Sequence, residues 1–307
     1  MNEPSEKRRT VLVTGGSSGI GRVAARDLAA RGDTLILVSR ADGAGARVVD
    51  EIRADTGGDV HFLPADLSLL GDMRALAETV RARWPKLDVL LANAGAYFGR
   101  RRVTSEGIEA TWALNHLGTA VPAILMADLL AAAAPSRVVI TSSNAAAGAR
   151  LRLDEPGFER RYQGFAAYAQ SKLANQVMTL ALAERLEAHG VRVHAMHPGF
   201  VATGFGADAG VFTPVVRSVQ RAFGRTPEQG ADTLTFLAHD ASALATTGRY
   251  WVDRRERAMA RAARDPSAPD RLWALTVEQA GLGADELGSL GARDGRSPTR
   301  RPPLVVA

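Results

Sequence analysis

The sequence predicts an α/β fold, a doubly wound parallel sheet in a single domain. Three observations lead there. From Thr10 onward, short β-branched runs alternate with longer stretches of helical period; the runs are apolar throughout; and a glycine-rich turn separates the first run from the first helical stretch. Strand and helix in alternation build βαβ units, whose right-handed crossovers give a parallel sheet with helices on both faces. Strands buried on both faces read as continuous apolar runs.

The expected strands are Val11–Val13, Leu35–Val38, Val60–Leu63, Val89–Ala92, Val138–Ile140 and Val191–Ala195. Helical stretches lie between them near residues 19–31, 44–55, 69–83, 105–133 and 166–189. No Pro/Ser-rich linker or internal repeat interrupts residues 10–250, so one domain over 10–282 is expected after a short N-terminal tail, 1–9. Beyond Gly283 the composition turns to Gly, Ser, Pro and Arg, and residues 283–307 read as a loosely ordered tail.

Composition narrows the chemistry. The 307 residues are 46% apolar and 23% charged, enough for a sizeable core. There is no cysteine, which excludes disulfides, Cys-ligated metals and thiol nucleophiles. The net charge of +5 comes with only three lysines, Lys7, Lys86 and Lys172, against many arginines, a compositional bias rather than a nucleic-acid surface. Met1 to Thr10 has no apolar secretion segment, and the most apolar run, Thr119 to Ala134, is shorter than a bilayer span and contains Asp128. The expectation is a cytoplasmic protein without membrane insertion.

After the first strand comes Thr14-Gly15-Gly16-Ser17-Ser18-Gly19-Ile20-Gly21, opening the helical run from Arg22. Glycines let a backbone turn sharply and approach a pyrophosphate, and the free N–H groups of the helix start bind the anion. Strand, turn and helix in this order predict dinucleotide binding and a Rossmann fold.

Thr14, Gly15, Gly19 and Gly21 match TGxxxGxG, and the chain resembles the short-chain dehydrogenases/reductases to about Gly281. The resemblance implies further cofactor contacts: Ser17, Ser18 and Ile20 in the turn; Asp66 and Leu67, where an acid meets the adenine; Asn93-Ala94-Gly95, the family's NAG motif; and Pro198, Gly199 and Thr203 after the sixth strand. Asn115 stands mid-helix, where a polar side chain wants a partner. By resemblance it is the fourth catalytic residue and holds a water beside the lysine.

Tyr168 and Lys172 are four apart and so share a helix face. An ammonium beside a phenol favours the phenolate and lowers a pKa near 10, fitting the tyrosine for proton exchange with a carbonyl or alcohol oxygen. Tyr168-Ala169-Gln170-Ser171-Lys172 is similar to the family's YxxSK, which implies that Lys172 also holds the nicotinamide ribose. Thr141-Ser142-Ser143 puts hydroxyls at the carboxyl edge of the sheet, where such folds bind ligands. By resemblance Ser143 holds the reacting oxygen, with Ser142 as the alternative. His194 and His197 lie three apart on a strand, on opposite faces, so no metal site is expected.

Ser39-Arg40 follows the second strand, where NAD enzymes carry an acid for the ribose 2′-hydroxyl. A guanidinium suits a 2′-phosphate, and Arg22 can add to the same pocket, so NADP(H) is the expected cofactor. Between Ser143 and Tyr168 lie 24 residues, and together with Gly248-Arg249-Tyr250-Trp251 and Arg271-Leu272-Trp273 this resembles the retinol dehydrogenase and protochlorophyllide reductase branch. That branch implies a bulky lipophilic carbonyl or alcohol as the small-molecule substrate; the absence of cysteine argues against the chlorophyll-pathway activity. Residues 200–225, with Phe200, Phe205, Phe212 and Phe223, read as a lid. The expected reaction is carbonyl–alcohol interconversion, with enone reduction or a non-catalytic dinucleotide sensor as alternatives. The stretches 105–133 and 166–189 are those that family homodimers and homotetramers pack together.

Overall fold

The computed structural model describes residues 8–41, 43–200 and 224–290. An eight-stranded sheet runs through the molecule. Its strands are β1 (Thr10–Thr14), β2 (Thr34–Ser39), β3 (Val60–Pro64), β4 (Val89–Ala92), β5 (Ser136–Thr141), β6 (Val191–His197), β7 (Arg249–Val252) and β8 (Arg255–Arg257). They stand in the order β3-β2-β1-β4-β5-β6-β7-β8. Every neighbouring pair is parallel except the last, where β7 and β8 form an antiparallel ribbon. The strand order reverses between β1 and β4, so a crevice opens beyond the carboxyl ends of those two strands.

All six expected strands are present and carry the predicted runs, buried throughout except at His61 and Phe62 of β3 and Arg192 of β6, which are half-buried. Helices α1 (Gly19–Ala30), α2 (Ala44–Thr56) and α3 (Leu70–Arg83) follow the sequence reading closely. The expected helix over 105–133 is broken instead. A single turn, α4 (Ala110–Trp112), leads into a π turn at Ala113–Leu117, then α5 (Gly118–Leu125) and α6 (Ala127–Ala132). Gly118 packs where a Cβ would come within 2.5 Å of the Leu67 carbonyl, and Pro122 withholds an N–H from α5. Helix α7 (Gly164–Leu186) is buried almost all round, which is why its hydrophobic periodicity is weak.

Past the sixth strand come α8 (Pro227–His239), α9 (Ala268–Ala280) and the short α10 (Ala284–Leu287). The packed chain therefore continues beyond Gly283, where the tail was expected to begin. Glu286 of α10 pairs with Arg74 at 2.7 Å and Leu290 is buried. Two apolar clusters cover the sheet, one beneath α3, α5, α7 and α9, the other beneath α1, α2 and α8. Arginines close the C-terminal end of α8: Arg137 donates to the Leu237 and Asp240 carbonyls at 2.9 Å, and Arg9 to Ala238 at 3.0 Å. Among the described residues no helix is long and apolar enough to cross a membrane.

Candidate active site

The crevice between β1 and β4 is lined by the glycine turn. Gly15 and Gly19 have φ of +66° and +52°, a region that glycine enters without strain. A Cβ on Gly15 would stand 3.0 Å from Ala94 Cα, and one on Gly21 only 2.4 Å from the Gly15 carbonyl oxygen. Thr14 ties the turn to β4, its Oγ1 accepting from the N–H groups of Asn93 (2.9 Å) and Ala94 (3.0 Å) while Asn93 Nδ2 donates to the Thr14 carbonyl (3.1 Å). Ser18 occupies the N-cap of α1 in extended conformation, and no side chain caps the helix or places an acid in its first turn. Free N–H groups at a helix start without an acid in its first turn, and a backbone stripped of Cβ atoms, suit a pyrophosphate, so these residues fit a dinucleotide. Among the described residues no group of three or more His, Cys, Asp or Glu could hold a metal ion.

The other expected contacts occupy the same edge of the sheet with differing freedom. Asp66 spends one carboxylate oxygen on the N–H and hydroxyl of Ser68, at 2.9 and 2.7 Å. Leu67 is buried beneath the π turn. Ser39 closes β2 half-buried, and Arg40 beyond it is exposed. The guanidinium of Arg22 is paired with Glu51 of α2 at 2.7 Å, an engagement that the sequence did not reveal; both side chains are about half exposed and such a pair exchanges readily with solvent. Pro198 and Gly199 follow β6; Gly199 has φ +84°, and a Cβ there would also meet the Arg225 side chain at 2.5 Å. Thr203 and positions 201–223 of the expected lid lie outside the described residues. The ends of that segment are joined, Arg225 donating its N–H to the Phe200 carbonyl at 2.7 Å, and Arg225 makes a two-pronged pair with Asp253.

Tyr168, Lys172, Ser143 and Asn115 converge beside this crevice. Tyr168 and Lys172 project from one face of α7, the Nζ lying 5.8 Å from the phenol ring centre. Ser143 starts a 3-10 turn at Asn144–Gly148 and lies within hydrogen-bond reach of the Tyr168 hydroxyl, while its Oγ also accepts from Ala145 N–H. The alternative Ser142 is buried and donates to the Lys172 carbonyl at 2.8 Å, which makes it a brace for α7. Asn115 stands in the π turn, where its Nδ2 donates to the Ala96 carbonyl and to Ser171 Oγ and its Oδ1 accepts the Ala96 N–H. A Cβ on Gly95 would meet Lys172 Nζ at 3.0 Å and Asn115 Oδ1 at 3.1 Å, so the glycine of the NAG motif is where lysine and asparagine come together.

The electrostatics correct one expectation. Tyr168 is pushed up to about 12 rather than lowered: burial costs the phenolate its hydration, and the Ser143 hydroxyl offsets only part of that cost. Lys172 is pushed down to about 8, also by burial. The two groups share one dry site, and the Lys172 Nζ donates a hydrogen bond to the Thr141 carbonyl at 3.1 Å.

The stretch between Ser143 and Tyr168 forms a wall that sequence reasoning did not resolve. Tyr162 donates to the Phe98 carbonyl at 2.9 Å and meets Thr111 Oγ1 at 3.0 Å, and Arg101 donates to the Gly157 carbonyl. Tyr97, on the loop after β4, stands edge-on to Tyr168 with ring centres 6.3 Å apart. No local spacing signals these contacts, since Tyr97 is 71 residues from Tyr168. His194 and His197 are buried, and His194 is held by the Ala243 carbonyl and Trp251 Nε1.

Fold and site together define a dinucleotide-dependent oxidoreductase. The model of the short chain dehydrogenase family matches residues 9–210, and the chain belongs to that family, in its retinol dehydrogenase-like branch. It is 33% identical to human "Retinol dehydrogenase 14" over 291 residues, covering 89% of this chain and 87% of that protein. It is 36% identical to human "Dehydrogenase/reductase SDR family member 13" over 285 residues, 91% of this chain and 74% of the other. The solved "RhlG/NADP active-site complex" of Pseudomonas aeruginosa superposes with a TM-score of 0.65 at 27% identity, covering 81% of this chain and 96% of that one.

Proposed function

We propose that the chain is an NADP(H)-dependent oxidoreductase interconverting a carbonyl and an alcohol on a bulky, lipophilic small molecule. The observation that carries this reading is the burial of Tyr168 and Lys172 together, with Ser143 facing the phenol, at the edge of the glycine cradle. The cradle from Thr14 to Arg22, with Asp66, Leu67, Asn93-Ala94-Gly95, Pro198, Gly199 and Thr203, holds the dinucleotide in this reading, and Ser39-Arg40 take its 2′-phosphate. The bound nicotinamide supplies or accepts the hydride.

The residues' own chemistry follows from their environment. Burial keeps the Tyr168 phenol protonated at neutral pH and makes it a weaker acid than a free phenol, so it gives its proton only as hydride addition turns the substrate carbonyl into a far more basic alkoxide. Ser143 donates a hydrogen bond to the same oxygen. Once Tyr168 has given up its proton, the Lys172 ammonium stabilises the phenolate, and a lysine near pKa 8 can return the proton at modest cost. Asn115 anchors the π turn and the Ala96 backbone beside Lys172. Tyr97 and the wall around Tyr162 give the mouth an apolar, aromatic side, in keeping with the retinol dehydrogenase names among the relatives.

The test pairs product identification with one substitution. Incubation of the chain with NADPH and a bulky apolar ketone or aldehyde is expected to yield the alcohol, and Tyr168→Phe to lose turnover by about a hundredfold or more while still binding NADPH. A saturated ketone from an enone, or Tyr168→Phe with full turnover, overturns the reading.

A further inference from the structure

A C-terminal helix, α9, is fastened directly to the turn that carries Asn115. Trp112 stands at the entrance of the π turn and His116 within it, both buried, with ring centres 4.3 Å apart. Each spends its ring N–H on α9. Trp112 Nε1 donates to Gln279 Oε1 at 2.8 Å, and His116 Nε2 lies 2.9 Å from Thr276 Oγ1. The Thr276 hydroxyl gives its own hydrogen to the Leu272 carbonyl at 2.7 Å, so towards His116 it accepts, and the ring carries its proton on Nε2. His116 Nδ1 has no hydrogen-bond partner among the described residues, which leaves the Thr276 bond as the polar hold of the ring.

Thr276 and Gln279 are three apart and so lie on one face of α9. The rings they hold, four apart, bracket Asn115. Asn115 spends its own side chain elsewhere, on the Ala96 backbone at 2.8 and 2.9 Å and on Ser171 Oγ at 3.0 Å. A π turn is an uncommon conformation whose competitor is the α-helix on either side of it. Reversion to the α register turns the following side chains by about 100° and takes the Asn115 amide off Ala96 and Ser171. Helix α9 opposes that reversion, because it would also pull the His116 ring off Thr276 and strand a buried donor. The helix is itself tied down near both ends. Arg185 of α7 pairs with Asp270 at 3.3 Å and lies over the Trp273 ring, and Arg74 of α3 donates to the Ala280 and Gly281 carbonyls.

We propose that Thr276 and Gln279 are positioning residues, through which α9 holds the π turn and so aims the Asn115 carboxamide at the Ala96 backbone beside Lys172. The proposal rests on the reading of Asn115 as part of the active site, but the hold of α9 on the turn is measurable without turnover.

The chain has five asparagines, so the full-length protein labelled with ¹⁵N-asparagine gives five side-chain amide signals, with Asn115 and Asn93 assigned through Asn115→Ser and Asn93→Asp. Asn93 is the internal reference, since its Nδ2 donates to the Thr14 carbonyl at 3.1 Å and its Oδ1 accepts from Thr141, all at the sheet edge. Thr276→Val keeps the shape and strands the buried His116 Nε2–H. Hydrogen exchange of the Asn115 amide is then expected to quicken by about tenfold or more, while that of Asn93 stays within about twofold. Gln279→Leu is expected to act in the same direction by less, about threefold, because Gln279 is half-buried and water can take over as acceptor. Thr276→Ser and Gln279→Glu keep an acceptor oxygen and are expected to restore slow exchange. The kcat for carbonyl reduction should fall where exchange quickens and return in these two conservative variants, with KM for the carbonyl and NADPH affinity little changed. Should Thr276→Val not fold, Gln279→Leu decides in its place. Three results overturn the proposal: Asn115 exchange unchanged in the folded variants, Asn93 quickening as much as Asn115, or quickened Asn115 exchange with full kcat. Failure of the unchanged protein to reduce any carbonyl bears on the proposed function and leaves the exchange rates to be read separately.

Discussion

Thr14 and Asn93 hydrogen-bond to each other in both directions, side chain to backbone each way, and so lock the ends of β1 and β4 at the point where the strand order reverses. Thr14→Val keeps the shape and leaves the N–H of Ala94 without its acceptor, while that of Asn93 keeps the Leu91 carbonyl at 3.0 Å. A cost of about 1–3 kcal/mol in unfolding free energy is expected, the worth of one stranded donor. Urea denaturation reads this loss, and Thr14→Ser should recover most of it.

The space at Gly21 makes a sharper demand on the cradle than on the fold. Its Cβ would press on the Gly15 carbonyl, so Gly21→Ala must displace the turn. Weakening of NADPH binding by about tenfold or more is expected in fluorescence titration, because a displacement of an ångström misaligns the donors facing the phosphates. Unchanged affinity would show that the turn does not hold the cofactor.

Arg40 is exposed beyond β2 and free to meet a phosphate, whereas Arg22 must first leave Glu51. Arg40→Asp is therefore expected to shift preference from NADPH toward NADH by about tenfold or more, and Arg22→Gln by less, in parallel titrations at fixed ionic strength. Equal effects of the two substitutions would show that the Arg22–Glu51 pair opens without cost.

Three buried histidines make the fold acid-sensitive. Burial lowers His116 to about 3 and His194 and His197 to about 4, against 6.5 for a free imidazole. The unfolded chain thus takes up protons that the folded chain refuses between those values, and stability, complete above pH 6.5, falls as the pH drops toward 4. Each contributes a loss of about 2 kcal/mol between pH 7 and pH 5, discounted for His197, the least buried of the three. Urea midpoints at the two pH values check the direction, and His194→Gln should flatten the slope.

The alternation of Val11–Val13 and its successors with helical stretches made the sheet legible, because strands buried on both faces must be apolar throughout. The ribbon of β7 and β8 was not legible: its short strands carry arginines, which a half-exposed edge tolerates and a periodicity reading passes over. The break of the 105–133 helix is written in Gly118 and Pro122 but also depends on the Leu67 backbone packing against that glycine, a tertiary constraint. At the site, Tyr168, Lys172, Ser143 and Asn115 could be named from motifs. The sign of the Tyr168 shift could not, since it turns on burial, and the contact of His116 with Thr276 joins positions 160 apart in the chain.

The two margins of the sheet carry a consequence for assembly. On one side β8 presents Arg255, Glu256 and Arg257 at the border, and on the other β3 ends in Pro64, which has no N–H to offer. Charge and proline at open borders discourage a further strand from docking, so copies of this chain are not disposed to join edge to edge into a continuous sheet. Association that leaves the fold intact is directed instead to the helical flanks, and high concentration should favour discrete assemblies over fibrous ones.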